Sequence, residues 1–403
     1  MARLTPEEAL RRIVATSQKG KKKAKSVVQY KHVKTLGLVD DALFVFKRGN
    51  TKQHIIATAD DRLAPIIADI DDTDFDDELP PCFVDWMGEY ERELAWYDTM
   101  GDMVADDPVM DTGRKDVAPM LKTTWAQNSP FNAHLVFNGN ACKVGCCAVA
   151  SGQVMYYWWS QNYKRGCNFV PTYTTLTNKY KVDSLPARTS FDFKNMTTGA
   201  PKTAKSKEAV ATFLEYVGKA MQSDYTPSGT GVPPKVMTAT LKDSLKMGKG
   251  IKMIYASQGA FAFEEAVYQE LAHGRAVIMC GYHTNGGHAF VCDGYRVSDG
   301  KFHFNWGWGG SYNGWFAMSA LNPTAANTYN SNKIATIGIK PDYILGDVNG
   351  DGEINVTDVM EITQQIIGKK PITEAADVNS DGEVTATDSQ LLVKHILGKG
   401  EIE

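Results

Sequence analysis

Cysteine is scarce in this chain, with seven residues among 403. A small domain knit by disulfides would carry far more, so that class is excluded and the redox compartment is left open. The odd count leaves at least one thiol unpaired within the chain or bridged to another chain. Long apolar runs are missing too: none approaches the ~18 residues of a membrane-spanning helix. The opening residues, MARLTPEEALRRI, have no signal-peptide core. The protein is therefore expected either to stay inside the cell or to have its signal outside this chain. An internal repeat over residues 345–403 favours the second. Net charge is small, −4 at pH 7. With 43% hydrophobic and 22% charged residues, disorder, collagen and a simple coiled coil are excluded. The length suggests two or three domains, with apolar content for at least one sizeable core.

The charge that is present comes in blocks. Residues 1–59 carry net +9, 60–112 net −16, 113–344 net +11 and 345–403 net −8. Such alternation reads as separate modules. Thr5 and Glu8 form a capping-box pattern at the head of an amphipathic helix over 5–16. Strands are expected at 42–46 and 54–57, around an Arg48-Gly49-Asn50 turn. Residues 82–97 have helical spacing, with Trp86, Tyr90, Leu94 and Tyr97 on one face. The acidic, aperiodic stretch 98–116 suits an exposed linker. The middle block predicts helices at 146–160, near 207–222 and near 262–273. Strands follow at 276–280, 289–293, 301–305 and 334–339. Helices first and strands later indicate an α+β domain, and Pro341-Asp342 marks its end. The basic run Lys19 to Lys25 lacks interleaved aromatics, so nucleic-acid binding is not expected.

Residues 345–403 hold an internal repeat. GDVNGDGEINVTDVMEITQQIIG recurs as ADVNSDGEVTATDSQLLVKHILG, 30 residues on. Each copy reads D-x-N-x-D-G-x-[IV]-x-x-x-D. The side-chain oxygens of the first loop are those of Asp347, Asn349, Asp351, Asn355 and Asp358, with Glu353 offering its backbone carbonyl. Those of the second are Asp377, Asn379, Asp381, Thr385 and Asp388, with Glu383 offering its carbonyl. Gly352 and Gly382 take the sharp-turn position. Ca²⁺ binds six to eight oxygens, and each loop delivers such a set. An EF-hand would end its loop in Glu and have a helix before it. Here the loop ends in Asp, and helices are expected only after it, at 359–367 and 389–397. The segment resembles a dockerin. That resemblance implies two structural calcium ions, a cohesin-bearing scaffold as partner, and secretion with docking on a scaffold or cell surface. Val356-Thr357 and Ala386-Thr387 fall where dockerins select their cohesin. With 12 carboxylates in 59 residues, the module should fold poorly without metal.

The segment NACKVGCCAVASGQVMYYWW carries three cysteines. A helix starting near Cys146 puts Ala150, Val154 and Trp158 on one face and Cys147, Ser151 and Met155 about 100° away. A cysteine at a helix N-terminus meets the positive end of the dipole, which favours thiolate. Three small buried residues would fit the same pattern. Further on, GGHAFVCDGYRVSDGKFHFNWGWGG places His288 after two glycines, at the head of a strand. Asn305 and Trp306 lie one strand later, where they could pack on the imidazole. A single histidine is more often structural. A helix-start cysteine some 140 residues upstream, however, is the separation papain-type peptidases show.

At these residues the chain resembles the streptopain-like cysteine peptidases of the papain clan, peptidase family C10. GCCAVASGQVMYYW resembles that family's nucleophile segment. GGHAFVCDG and HFNWGWGGSYNGWFAMSALNP resemble its histidine strand and tryptophan loop, and WAQNSPFN its oxyanion segment. FVFKRGNTKQHIIATADDRLAPIIA resembles its propeptide. The resemblance implies Cys146 as nucleophile, His288 as general base and Gln127 as oxyanion donor. Asn305 and Trp306 would then shield and orient the histidine, and Trp308 would be structural. Ser228 and Gly229 match a segment near the substrate cleft. Two features depart from the family: the larger number of cysteines, and TAANTYNSNK in place of a glycine-rich stretch.

The expected fold class is α+β: a papain-like peptidase domain at 113–344, preceded by an α+β inhibitory propeptide at 1–112. A small two-repeat helical dockerin follows at 345–403. The resemblance implies an endopeptidase acting on protein or peptide substrates with an apolar P2 residue, and no metal in the chemistry. The negative pro-region would dock in cis on the positive catalytic block until the linker is cut. The alternative is a silent peptidase fold acting mainly as a cohesin-binding module. A cytosolic acyltransferase with the same dyad is disfavoured by the calcium repeat.

Overall fold

The computed structural model describes residues 3–18, 29–36, 42–61, 63–71, 73–75, 79–100, 113–161, 163, 165–283, 286–319 and 332–402. The basic run Lys19 to Lys25, residues 101–112 of the linker and most of the TAANTYNSNK segment lie outside the described residues. In chain order the first elements are α1 (Pro6–Gln18), β1 (Tyr30–Leu36), β2 (Leu43–Arg48), β3 (His54–Thr58), β4 (Ile66–Ile70) and α2 (Pro81–Met100). Two short hairpins follow, β5 (Val136–Phe137) with β6 (Asn140–Ala141) and, after α3 (Cys146–Ser160), β7 (Tyr173–Thr174) with β8 (Lys181–Val182). Next come α4 (Ala204–Ala220), α5 (Pro234–Asp243), β9 (Lys252–Tyr255) and α6 (Ala260–Ala272). The strands β10 (Val277–His283), β11 (Gly286–Arg296), β12 (Lys301–Asn305), β13 (Gly314–Phe316) and β14 (Ile334–Ile337) precede α7 (Val356–Ile366) and α8 (Ala386–Ile396). The chain forms two compact units, Met1–Thr124 with Met253–Ile337, and Trp125–Lys252 with Gly338–Glu403.

The first unit is built on a ten-stranded sheet in the order β1-β2-β3-β4-β13-β12-β11-β10-β14-β9. β4 pairs antiparallel with β13, setting Ile70 opposite Gly314, Asp69 opposite Trp315 and Ala68 opposite Phe316. Strands from before residue 112 and strands from after 113 therefore share one sheet. Glycine is required at 314, because a Cβ there would meet the Asp69 carbonyl oxygen at 2.4 Å. The two-residue period of β2 sends Leu43 and Val45 into a cluster with α2, and Phe44 and Phe46 into a second cluster with Ala9 and Ile13 of α1. A strand covered on both faces reads as an unbroken apolar run, here LFVF. On α2, Trp86 meets Phe290 and Phe304 edge-on at 5.3 and 5.2 Å. A fully buried phenylalanine such as Phe83 contributes about 1.5–3 kcal/mol of transfer free energy. The capping box of α1 forms: Glu8 Oε2 accepts from Thr5 N at 2.7 Å, and Thr5 Oγ1 from Glu8 N at 3.3 Å.

In the second unit α3 is apolar on nearly every side and correspondingly buried. Glycine lets α4 approach it: a Cβ on Gly152 would lie 2.7 Å from Leu214 Cδ2. α4 begins three residues earlier than its apolar period suggests, because Thr203 and Ser206 close a capping box. The same effect moves the dockerin-like helices. α7 and α8 start at Val356 and Ala386, with Asn355 and Thr385 as N-caps and Asp358 and Asp388 closing each box. Their small core repeats with the sequence, Val348 and Ile362 matching Val378 and Leu392. Among the described residues, no helix is long and apolar enough to cross a membrane.

Candidate active site

Cys146 is the first residue of α3 and is half-buried. The turn before it needs Gly145 twice over: φ is 95°, and a Cβ would meet Thr230 Cγ2 at 3.0 Å. No side chain caps this helix. Its positive end is therefore available to stabilise negative charge on the first residue. Cys147, one residue on, is buried with its Sγ 3.6 Å from the Val232 oxygen. Burial pushes the thiols of Cys142, Cys167 and Cys292 up, Cys167 to about 11, which opposes thiolate formation.

Gln127 lies on a segment pinned beside this helix start. Its carbonyl accepts from Val144 N at 3.0 Å, and the Asn128 side chain accepts from Lys143 Nζ. Ser228 and Gly229 sit in an exposed loop closed by Thr226, whose Oγ1 accepts from Gly229 N at 3.0 Å. That loop is tied to the same region, since Lys143 N donates to Thr226 O at 3.2 Å.

His288 lies on β11 opposite Gly281 and is buried. Its Nε2 is 2.9 Å from the Trp306 carbonyl oxygen. Trp308 stacks on its ring at 4.8 Å and 26°, closer than Trp306 at 6.2 Å. The sequence reading placed the shielding ring at Trp306. The structure has both rings stacked parallel to the imidazole, Trp308 the nearer, with Trp306 also offering its carbonyl. The Asn305 side chain donates to Thr123 O at 2.7 Å and accepts from Gly307 N at 3.1 Å. A small cavity beside His288 is lined by Phe290 and Trp306 and by Asp85, Trp86 and Glu89 of α2. The pro-region helix thus faces the histidine strand. It is fastened there by Glu93, which accepts from Lys333 Nζ at 2.6 Å and Ser319 Oγ at 2.8 Å. The sequence reading did not single out that pair, whose partners lie 240 residues apart.

The two loops of the repeat bend their oxygens inward. Asp347 accepts from Asp351 N and Gly352 N at 3.0 and 2.9 Å, and Asp377 accepts from Asp381 N and Gly382 N at 3.1 and 2.9 Å. Asp358 and Asp388 are fully buried. Burial and the neighbouring carboxylates push Asp347 and Asp358 up. Carboxylate, amide and hydroxyl oxygens are the hard donors that Ca²⁺ takes, but among the described residues no three or more of the carboxylates are drawn together as a ligand cluster.

Helices and an antiparallel sheet of this kind form the α+β fold class of papain-like cysteine peptidases. The sequence profile of the peptidase C10 family matches residues 125–316, and that of the type I dockerin domain matches residues 345–397. The chain therefore carries a peptidase C10 domain followed by a type I dockerin domain, a class that generally binds Ca²⁺. It is similar to the thiol protease/hemagglutinin PrtT of Porphyromonas gingivalis, with 31% identity over 75% of this chain and 37% of that protein. It is 30% identical to streptopain of Streptococcus pyogenes over 51% of this chain and 54% of streptopain. The chain thus spans only part of the length of these relatives. A solved prointerpain A fragment from Prevotella intermedia shares the fold, with a TM-score of 0.66, 23% identity and coverage of 78% of this chain and 100% of that one. Active interpain A aligns over 58% of this chain and 100% of its own, with a TM-score of 0.50 and 25% identity.

Proposed function

We propose that this chain is the zymogen of a secreted cysteine endopeptidase in which Cys146 is the nucleophile and His288 its base. The observation that carries this reading is a contrast among thiols. Cys146 opens a buried helix and is half-buried, whereas Cys142, Cys147, Cys167, Cys280 and Cys292 are buried. The thiolate Sγ bonds to the peptide carbonyl carbon, and the protonated imidazole gives its proton to the leaving amine. Water, deprotonated by His288, then breaks the thioester. The Gln127 amide and the Cys146 N–H hold the oxyanion, a donor of this kind being worth about 3–4 kcal/mol. Trp306 O and Trp308 orient the imidazole, and Ser228 and Gly229 border the cleft that takes an apolar P2 residue.

Residues 1–112 act as the pro-region, 113–344 as the peptidase and 345–403 as the dockerin. The shared β4–β13 edge and the packing of α2 beside His288 support latency in cis. Two calcium ions hold the dockerin loops, through Asp347, Asn349, Asp351, Glu353, Asn355 and Asp358 and through Asp377, Asn379, Asp381, Glu383, Thr385 and Asp388. A cohesin on a scaffold is the partner of this module, which places the enzyme outside the cell. Intact mass over time tests the central reading. Wild type should shed its pro-region, while Cys146→Ala and a sample treated with an irreversible papain-type inhibitor stay whole. Absence of both trimming and inhibitor adduct, even after limited digestion of the linker, would refute the peptidase.

A further inference from the structure

We propose that Gln153 is a positioning residue for the oxyanion donor, an inference that rests on reading Gln127 as that donor. Gln153 lies on α3 two turns past Cys146, about 10 Å along the axis. It is fully buried. A carboxamide in an apolar interior is unfavourable unless bonded. Here its Oε1 accepts from Trp125 N at 3.3 Å.

That bond fixes one end of a three-residue segment, and Val144 N, donating to Gln127 O at 3.0 Å, fixes the other. The ring of Trp125 is fully buried, and its Nε1 donates to Thr197 O at 2.8 Å. Gly152 sits beside it, where a Cβ would lie in ordinary contact with Trp125 Cζ3 at 3.5 Å. One rigid helix therefore carries the nucleophile at its first residue and, two turns on, holds the backbone leading to Gln127. An oxyanion donor works by being in place before charge develops, so the tether acts on kcat and not on substrate affinity.

Gln153→Met removes the acceptor at similar length, and Gln153→Glu keeps it. In the self-processed enzyme, Gln153→Met should lower kcat roughly tenfold with KM within about twofold, and Gln153→Glu should recover most of the loss. Gln127→Ala should lose about 10²–10³ in kcat, and adding Gln153→Met to it should change little more. A Gln153→Met enzyme with a lower melting temperature but wild-type kcat overturns the proposal, as do penalties that multiply in the double variant. Full activity in Gln127→Ala would instead sink the reading of Gln127 on which the proposal rests. Amide exchange is read separately on peptides covering Trp125 in the Cys146→Ala chain. It should quicken in Gln153→Met even if that variant does not process, and unchanged exchange also overturns the proposal.

Discussion

His288 Nε2 lies 2.9 Å from the main-chain oxygen of Trp306. A carbonyl only accepts, so Nε2 donates to it in either charge state of the ring, and Nδ1 is the nitrogen at which the ring gains or loses its other proton. No substitution at 306 deletes that acceptor, but the turn bearing it can be loosened. Asn305 holds the turn through Thr123 O and Gly307 N. Asn305→Ala should cost about 1–3 kcal/mol, because it strands buried backbone groups. It should also lower kcat more than it raises KM. Urea unfolding and steady-state kinetics measure the two effects, and an unchanged kcat would show that the turn holds without this side chain.

The pro-region is fastened by charge as well as by strand pairing. Glu93 and Lys333 are 1% and 5% exposed and 2.6 Å apart, with the Lys333 ammonium 5.4 Å from the Trp86 ring centroid. Removing one member of such a pair leaves a buried charge and typically costs about 3–5 kcal/mol, whereas replacing both by apolar residues is often near neutral. Glu93→Leu and Lys333→Met should each destabilise the Cys146→Ala chain and speed exchange of α2, and the double variant should regain most of the loss. Single losses that simply add would show that the two charges do not depend on each other.

Much of this was legible in the sequence where a local rule acts. The box of Thr5 and Glu8, the apolar face of α2 and the repeat of twelve-residue loops each follow from spacing alone. The helix starts at Ala204, Val356 and Ala386 were missed by three residues, because the capping side chains sit outside the apolar period. The continuity of the sheet through β4 and β13 has no local signal: Gly314 and Asp69 meet across 245 residues, and only the close approach explains the glycine. At the site, Cys146 and His288 stood out by motif. The role of the Trp306 carbonyl was hidden, because a backbone oxygen has no sequence signature. Gln153 did leave a trace, as a lone amide within an apolar helix.

His134 is held between two carboxylates, with Nδ1 2.9 Å from Glu215 and Nε2 3.0 Å from Glu208. Burial alone would lower its pKa, but the two hydrogen bonds and charges outweigh it and raise the value above 6.5. The folded state therefore prefers the imidazolium. Its stabilisation is fully present below the unfolded value and is lost as pH rises through the higher folded one. Between about pH 6 and pH 8, wild type should lose more melting temperature than His134→Gln, and added salt should narrow the difference. Parallel pH curves for the two proteins would show that the clamp contributes nothing.

The two loops of the repeat share a sequence but not surroundings. Arg165 Nη1 donates to Gly350 O at 3.5 Å, and the guanidinium lies close enough to Asp347 to interact with its charge. A fixed cation beside the first loop compensates its carboxylates without metal and repels Ca²⁺ when it arrives. The first site should therefore bind more weakly than the second, and Arg165→Gln should tighten the first site alone. Calorimetry on Asp377→Ala and Asp347→Ala, each retaining one loop, isolates the sites, with binding expected to fall from two ions to one in each. Chelation should lower the melting temperature of the dockerin and abolish cohesin binding while peptide hydrolysis continues. Equal affinities in the two single-loop variants would mean that Arg165 is screened from the loop and that the repeat, not its surroundings, sets calcium binding.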